Sequence, residues 1–231
     1  MFVSMWMTRD VLTVSPNAPL VEIATLMMRR RIRRLPVVDD SGGRNALVGI
    51  VTHSDVLHAF PQDINPLAID AAESIAGLDA LANRVQLTAA DLMARSPRTT
   101  TPDAALESAA RIMRDHKIGA LPVLGGHALV GLITESDIFR AMVEVFETTG
   151  RAVRITFDLK PGEDVLPLVA EIARKRSLRI TSFMALPRHE PPVCVVQMVG
   201  AQLDEALDDV WKSHHRVLNV VQLAPEIAAK T

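Results

Sequence analysis

A pattern of apolar, hydroxyl and carboxylate side chains occurs in the stretch GIVTHSD, which runs from Gly49 to Asp55. Alternate side chains of a strand share a face, so Ile50 and Thr52 are expected to point the same way. Ser54 and Asp55 then fall at the start of a helix, whose free backbone N–H groups and positive dipole end favour an anion. A second stretch, GLITESD, repeats the pattern with the residues Leu132, Thr134, Ser136 and Asp137.

This combination of groups suits one kind of ligand and also has a purely structural interpretation. A carboxylate can accept hydrogen bonds from both hydroxyls of a ribose, apolar side chains can hold a base, and a helix start can receive phosphate. Alternatively, Thr-x-x-Asp is close to the Ser/Thr-x-x-Glu capping box, which satisfies the backbone of a helix and binds nothing. The residues alone leave both interpretations open.

The two stretches belong to a longer internal repeat. When residues 7–39 are set beside residues 93–125 at an offset of 86, twelve of 33 positions are identical. After a turn that is four residues longer in the first copy, ALVGIVTHSDVLHAF aligns with ALVGLITESDIFRAM at an offset of 82. The repeat indicates a duplicated structural module whose two copies pack together.

Each copy of the repeat predicts the order β-α-β-β-α. A short β-like stretch, Leu12–Val14 or Arg98–Thr100, precedes a helix for which Asn17 or Asp103 is the expected N-cap. Apolar residues then recur at i, i+3, i+4 and i+7, which predicts a helix with one buried face. Two apolar runs separated by a Gly-containing turn predict a hairpin, and a second helix follows at the Ser-Asp pair.

This order of motifs resembles the cystathionine-β-synthase (CBS) domain family. The resemblance is carried by RLPVVD and GIVTHSD in the first copy and by ALPV and GLITESD in the second, within about residues 3–145. A tandem CBS pair, often called a Bateman module, implies a sensor of an adenosine-containing ligand of the AMP, ATP, NAD or S-adenosylmethionine class. In such pairs the Asp and hydroxyl residues of these stretches commonly bind the ligand.

The resemblance also implies further residues at each of two ligand sites. In some nucleotide-binding pairs the basic residue two positions before the Leu-Pro pair reaches phosphate, and that position holds Arg33 in the first copy and Gly119 in the second. The alternative for Arg33 is a solvated cation near a helix C-terminus. Each site is expected to mix the two copies. The site around Asp55 would be closed by Thr101, Ile118 and Ala120, and the site around Asp137 by Ser15, Ile32 and Arg34.

The last third of the chain has a different pattern. Ala152–Leu159 alternates apolar and polar residues, as a strand with one solvated face does. With strands at Leu178–Leu186, Val193–Gly200 and Arg216–Leu223 and two intervening helices, the order β-α-β-β-α-β predicts an antiparallel four-stranded sheet with its helices on one face. By this topology and by Gly162 in the first turn, the segment resembles the ACT domain family. That resemblance implies either an amino-acid site at this turn or plain dimerisation through the sheet, which is the expected role. A CBS pair followed by such a domain resembles the acetoin-utilisation (AcuB) family.

Composition argues against several classes of function. The formal net charge is −2, aromatic residues make up 3% and tyrosine is absent, so no nucleic-acid surface is expected. The one cysteine, Cys194, excludes an intrachain disulfide and a multi-cysteine metal cluster, and we expect it inside a strand. The sequence shows no common catalytic motif, no metal-ligand spacing among its histidines and no apolar run long enough to span a bilayer. These features predict a cytoplasmic, non-catalytic protein that uses neither a metal nor a membrane.

The predicted architecture is α/β and α+β. It comprises CBS domain 1 at 1–60, a helix and linker at 61–90, CBS domain 2 at 91–147, a ferredoxin-like βαββαβ domain of ACT type at 151–224, and a tail at 225–231. The expected function is that of a homodimeric sensor that reports an adenine nucleotide or other adenosyl ligand to the ACT-like domain or to a metabolic enzyme. The alternative is a scaffold subunit of such an enzyme, with vestigial CBS clefts.

Overall fold

The computed structural model of the chain describes residues 1–41, 45–59, 86–147 and 150–223. The chain divides into two compact units, Met1–Ala141 and Met142–Thr231. Most of the predicted linker at 61–90 and all of the predicted tail at 225–231 lie outside the described residues.

The first unit contains both copies of the repeat. The first copy consists of α1 (Leu20–Arg30), β1 (Arg34–Asp39), β2 (Ala46–Thr52) and α2 (His53–Ala59). The second copy consists of α3 (Ala89–Leu92), β3 (Ala94–Arg95), α4 (Leu106–His116), β4 (Ala120–Gly125), β5 (Ala128–Thr134) and α5 (Glu135–Phe146). The predicted α-β-β-α core of each copy is therefore confirmed.

The strands of each copy form an antiparallel hairpin with a register shift at the same place, after Val37 in one copy and after Val123 in the other. Pairing of Ala46 with Ala128 joins the hairpins into one sheet of order β1-β2-β5-β4, with β3 on β2. In each copy the second strand of the hairpin passes directly into a helix. The threonines of the two Thr-x-x-Asp patterns lie at these strand-helix junctions.

The N-terminal segment of each copy packs against the other copy. Val3 and Met7 are buried in the core of the second copy, and the backbones of Thr8 and Leu132 exchange two hydrogen bonds of 2.9 Å. Conversely, Ala89 of α3 is buried in the core of the first copy, and β3 pairs with β2. Each copy therefore completes the hydrophobic core of the other.

Two local predictions for the repeat are wrong. Neither Asn17 nor Asp103 is a helix N-cap, because α1 and α4 begin further along the chain. In the first copy Pro19 occupies the N-cap position instead, with an extended backbone. In the second copy the Asp103 carboxylate accepts a hydrogen bond from Thr101 Oγ1 at 2.6 Å. The predicted strands Leu12–Val14 and Arg98–Thr100 reduce to single β-bridges.

The second unit has the predicted β-α-β-β-α-β order. It consists of β6 (Ala152–Asp158), α6 (Leu166–Lys175), β7 (Arg179–Leu186), β8 (Val193–Val199), α7 (Leu203–Trp211) and β9 (Val217–Leu223). The sheet is antiparallel with the order β7-β8-β6-β9. Both helices cover the face that carries Val153, Ile155 and Phe157, and the buried Cys194 belongs to the same core.

The opposite face of this sheet is less solvated than its sequence pattern predicts. Gln197 is 1% exposed there, and its side-chain oxygen Oε1 accepts hydrogen bonds from Arg154 Nε at 3.0 Å and from Arg154 Nη2 at 2.7 Å. Arg154 Nη2 also donates to the Phe146 carbonyl at 3.1 Å, and its guanidinium lies 5.1 Å from the centre of the Phe146 ring. The last residue of α5 is thus fixed to the sheet by a polar cluster.

Candidate functional site

The two Thr-x-x-Asp patterns form the same hydrogen-bonded cap. Asp55 Oδ2 accepts hydrogen bonds from the Thr52 amide at 2.7 Å and from Thr52 Oγ1 at 2.6 Å. Asp137 Oδ2 accepts from the Thr134 amide at 3.0 Å and from Thr134 Oγ1 at 2.7 Å. In both cases the Asp amide approaches the Thr hydroxyl at 3.3 to 3.4 Å, which completes a capping box.

A third Thr-x-x-Asp cap at α3 indicates how much of this geometry is structural. Asp91 Oδ2 accepts from the Thr88 amide at 2.8 Å and from Thr88 Oγ1 at 2.7 Å. These hydrogen bonds stabilise the ionised carboxylate and hold the pKa of Asp91 below its usual value. Because the same cap forms at an exposed helix, the cap by itself does not identify a ligand site. One carboxylate oxygen of each Asp is committed to its own helix.

The first candidate site, here called cleft one, is a cavity of about 670 Å³. Its lining includes seven of the predicted site residues, namely Arg33, Arg34, Ile50, Thr52, Ser54, Ile118 and Ala120. Neither Thr101 nor Asp55 is a lining residue, although the Asp55 carboxylate is hydrogen-bonded to the lining residue Thr52. A cavity of this size falls within the range of small-molecule sites.

The second candidate site, here called cleft two, is a cavity of about 430 Å³. It brings together the predicted residues Ile32, Arg34, Leu132, Thr134, Ser136 and Asp137. Ser15 is not a lining residue. Both clefts therefore draw side chains from both copies of the repeat, as expected, and Asp137 contributes directly to its cleft.

Arg33 and Arg34 line both clefts. A Cβ atom at Gly119 would lie 2.0 Å from Arg34 Nη2 and 2.9 Å from Glu135 Oε2. A side chain at this position would therefore have to displace the guanidinium of Arg34, which occupies the space. Consequently, the sequence difference between Arg33 and Gly119 does not assign a cation to cleft one alone.

The two capping carboxylates have different second partners. Asp137 Oδ1 forms an ion pair with Arg140 Nη2 at 3.2 Å. The same Arg140 group donates to the Trp6 carbonyl at 3.2 Å, and the guanidinium lies 5.9 Å from the centre of the Trp6 ring. In the first copy the residue equivalent to Arg140 is His58, whose Nδ1 lies 2.7 Å from the Ser54 carbonyl instead. Cleft two is therefore linked by Arg140 to the exchanged N-terminal segment.

Sequence reasoning missed several charged residues of the clefts. Arg95, Arg98 and Lys117 line cleft one, whereas Asp10 and Arg31 line cleft two. Lys117 and Arg31 are the left-handed residues that end α4 and α1, with φ of 53° and 51°. Because Lys117 and Arg31 occupy equivalent positions of the repeat, the sequence could have indicated them as cleft residues. Arg95 and Arg98 could not be found in this way, since only the exchange of N-terminal segments brings residues 95–98 to the wall of cleft one.

The remaining candidate chemistry is structural. Burial, with a smaller contribution from the Asp164 charge, raises the pKa of the Cys194 thiol to about 11, so this cysteine is mostly protonated at neutral pH. Within the described ranges, no three His, Cys, Asp or Glu side chains are grouped to hold a metal ion. Across the same residues, no helix is both long and apolar enough to cross a membrane.

Curated relatives match part of the chain. The Methanocaldococcus jannaschii protein MJ1225, which is uncharacterised, is 33% identical over 138 residues, covering 58% of this chain and 45% of the relative. An inosine-5'-monophosphate dehydrogenase from Korarchaeum cryptofilum is 31% identical over 169 residues, covering 70% of this chain and 30% of the enzyme. The chain thus spans less than half the length of these relatives.

Two solved structures each cover 63% of the chain. CBSX2, a protein of Arabidopsis thaliana, was crystallised in complex with AMP; it is 24% identical and covers 63% of this chain and 98% of its own, with a TM-score of 0.49. A Vibrio cholerae protein described as an acetoin utilization protein (AcuB) is 28% identical, with coverages of 63% and 93% and a TM-score of 0.48.

The family assignment follows from the repeat itself. The sequence matches the CBS domain family twice, over residues 3–62 and 89–144, which together make up half of the chain. The two matches coincide with the two copies that form the five-stranded sheet and its two clefts. The chain therefore belongs to the CBS domain family, as a tandem pair followed by a second, β-α-β-β-α-β unit.

Proposed function

We propose that the protein is a non-catalytic regulatory sensor that binds an adenosine-containing small molecule between its CBS domains. The observation that carries the proposal is the composition of the clefts, each of which combines apolar side chains, three hydroxyls, a helix start and several cations. The candidate ligands are AMP, ATP, NAD and S-adenosylmethionine. CBS domain membership supports a regulatory role.

Each chemical part of an adenosyl ligand has matching groups in the clefts. Ile50 and Ala120 in cleft one, and Ile32 and Leu132 in cleft two, offer apolar surface for a base. In our proposal the ribose hydroxyls bind the threonine hydroxyls and the capping carboxylates. Asp137 lines its cleft, whereas Asp55 would contribute only if its Oδ1 atom became accessible from cleft one. Thr101 and Ser15 would contribute only if the ligand drew their loops inward. Phosphate would bind the helix start and the surrounding arginines.

Helix α5 supports a route from ligand to output. Its first turn carries Ser136 and Asp137 of cleft two, and its last residue, Phe146, is bonded to Arg154 of the second sheet. A ligand that competes with Arg140 for Asp137 would alter the start of this helix. Such a ligand regulates only if it favours one arrangement of the protein over another.

We further propose that the second unit is an ACT-like domain and that the protein acts in the cytoplasm as a homodimer. The strand order of the second unit and its turn at Gly162, which has φ of +79°, support the assignment as an ACT-like domain. The regulated process would be acetoin utilisation or related carbon metabolism, through a metabolic enzyme partner. The proposal does not include a catalytic activity, a metal, a nucleic acid or a membrane.

A thermal-shift panel with AMP, ADP, ATP, NAD and S-adenosylmethionine tests the proposal. A ligand that binds only the folded state raises the melting temperature by mass action. Asp137→Ala and Asp55→Ala should abolish the shift for a ligand of their own cleft. Asp91→Ala is the matched control, because it breaks the same kind of cap at a helix outside both clefts and should leave the shift intact.

The competing function is that of a scaffold subunit whose clefts no longer bind a ligand. Exposed apolar side chains on α5 favour it, since Phe139 is 69% and Met142 52% exposed, and such surface commonly marks a protein contact. An absence of any shift across the panel would refute the sensor and favour the scaffold. Loss of the shift in Asp91→Ala as well would show that the caps act only through stability.

A further inference from the structure

The two clefts differ strongly in charge. Of the described residues that line cleft one, five are Arg or Lys and none is Asp or Glu; the cations are Arg33, Arg34, Arg95, Arg98 and Lys117. The lining of cleft two has three cations, Arg31, Arg33 and Arg34, and two carboxylates, Asp10 and Asp137. Because Arg33 and Arg34 belong to both clefts, the difference arises from the other residues.

Equivalent positions of the repeat locate this difference in one short segment. Arg98 of cleft one corresponds to Leu12 in cleft two, and Ser96 corresponds to Asp10. Exchange of the N-terminal segments places residues 95–98 at cleft one and residues 8–12 at cleft two. One cation is therefore absent and one carboxylate is added in the second cleft at matched places.

The cations of cleft one have donor capacity for a ligand. In the described part of the chain, Arg33, Arg98 and Lys117 form neither a side-chain hydrogen bond nor an ion pair. Arg95 donates one bond, from Nη2 to the Ala90 carbonyl at 3.0 Å. Three carboxylates outside the lining lie near these cations: Asp55 is hydrogen-bonded to Thr52, Glu135 approaches Gly119 from the same side as Arg34, and the charge of Arg95 acts on Asp91. The positive charges around this cavity exceed the negative ones.

We propose that cleft one is selective for a ligand with two or more phosphate groups, and that cleft two accepts only a weakly charged ligand. The ligand class of cleft one is a nucleoside diphosphate or triphosphate, including a dinucleotide with a pyrophosphate. The nucleoside part rests on the proposed function, whereas the polyphosphate part rests on the charges of the cavity. A cavity of about 670 Å³ has room for both.

The physical reason is the geometry of guanidinium groups. Arg binds phosphate oxygens through paired N–H donors, and such charge-assisted bonds are stronger than neutral ones. Each further phosphate places more negative charge among cations that are otherwise close to one another. In cleft two the same phosphate would meet Asp10 and Asp137, and like charges raise the free energy of the complex.

Titration calorimetry with adenosine, AMP, ADP, ATP and inorganic tripolyphosphate tests the proposal. The variant Arg98→Leu reproduces the residue of cleft two, and Lys117→Asn removes a second cation while keeping a residue that tolerates the left-handed conformation. Arg111→Leu is the charge-matched control, because Arg111 is exposed on α4 and lines neither cleft. Circular dichroism confirms that each variant is folded.

We expect ATP to bind at least about ten-fold more tightly than AMP to the wild type. Arg98→Leu and Lys117→Asn should each weaken the binding of ATP by about ten-fold and the binding of AMP by less than about three-fold, since loss of a hydrogen bond to a charged group lowers affinity by about a factor of ten or more. Arg111→Leu should change neither affinity. Added salt should weaken ATP binding more than adenosine binding.

The remaining outcomes separate this inference from the proposed function. If AMP and ATP bind equally and Arg98→Leu affects both alike, the charge selectivity is wrong while the adenosyl site stands. If tripolyphosphate binds in a manner that depends on Arg98, and ATP binds no more tightly than tripolyphosphate, the polyphosphate site stands and the adenosyl proposal fails. If no phosphate compound binds, the polyphosphate site is overturned; if adenosine and S-adenosylmethionine do not bind either, the adenosyl proposal fails as well.

Discussion

Exchange of N-terminal segments between the CBS copies makes a testable prediction about energetic coupling. A Cβ atom at Gly131 would lie 2.6 Å from Met7 Sδ and 3.0 Å from the Thr8 carbonyl oxygen. Met7 is an early residue of the first copy, and Gly131 lies in β5 of the second copy. A double-mutant cycle between Met7→Ala and Gly131→Ala measures whether the two residues interact in solution.

The structure sets the expected magnitudes of the cycle. Met7 is 8% exposed, and replacing a buried methionine by alanine typically costs about 2 to 5 kcal/mol of unfolding free energy. Gly131→Ala forces atoms together in a packed core and should cost about 1 to 3 kcal/mol. Met7→Ala removes the sulfur, so the double variant should be more stable than the sum predicts by about 1 kcal/mol or more. The contact with the Thr8 backbone keeps the relief partial.

The control for the cycle exploits the repeat. Gly49 is the residue equivalent to Gly131 in the first copy, and its Cβ would meet Met93 Sδ at 2.4 Å. Combining Gly49→Ala with Met7→Ala should therefore give additive free energies, although both residues belong to the same copy in sequence.

Guanidinium unfolding followed by Trp6 fluorescence measures these free energies. Trp6 packs against the core of the second copy, and a Trp211→Phe background removes the only other tryptophan. The exchange of segments would be refuted if the unfolding free energies of Met7→Ala and Gly131→Ala were additive while those of Met7→Ala and Gly49→Ala were not.

Three further predictions concern the second unit. Cys194, with its pKa raised to about 11 by burial, should not react with a thiol reagent at pH 8 in the folded protein but should react fully in guanidinium; rapid native labelling would contradict its burial. The pKa of Asp209 is lowered to about 2, chiefly by a 2.7 Å hydrogen bond from Arg176 Nε and further by Lys175, so the stability that its ionised carboxylate contributes is present above about pH 4 and is lost as the pH falls toward 2. The urea midpoint of Asp209→Asn should therefore decline less than that of the wild type between about pH 4 and pH 2, and a parallel decline of the two proteins would exclude the ion pair. Gly162→Ala should lower the free energy of unfolding by about 1 kcal/mol, and the cost comes only from the left-handed backbone, because φ is +79° and an added Cβ meets nothing within 4 Å. Gly162→Asn should cost less, and equal stabilities of the wild type and both variants would contradict this.

Much of the fold was predictable because local patterns carried it. The i, i+3, i+4, i+7 stripes gave α1 and α4, and the paired apolar runs gave both hairpins. Alternation and turn residues likewise predicted all four strands of the second unit to within about two residues. The predicted N-caps Asn17 and Asp103 failed because a proline and a neighbouring threonine decided those turns instead.

The sequence by itself determined the duplicated module, the Thr-x-x-Asp caps and the strand order along the chain, because each depends on neighbouring residues. Only the tertiary structure decided which copy each N-terminal segment completes, since packing of Met7 and Met93 against distant glycines is a long-range choice. That choice also carries Arg98 to cleft one and Asp10 to cleft two. The charge of each cleft is thus a property of packing between the copies, and it cannot be assigned from either stretch alone.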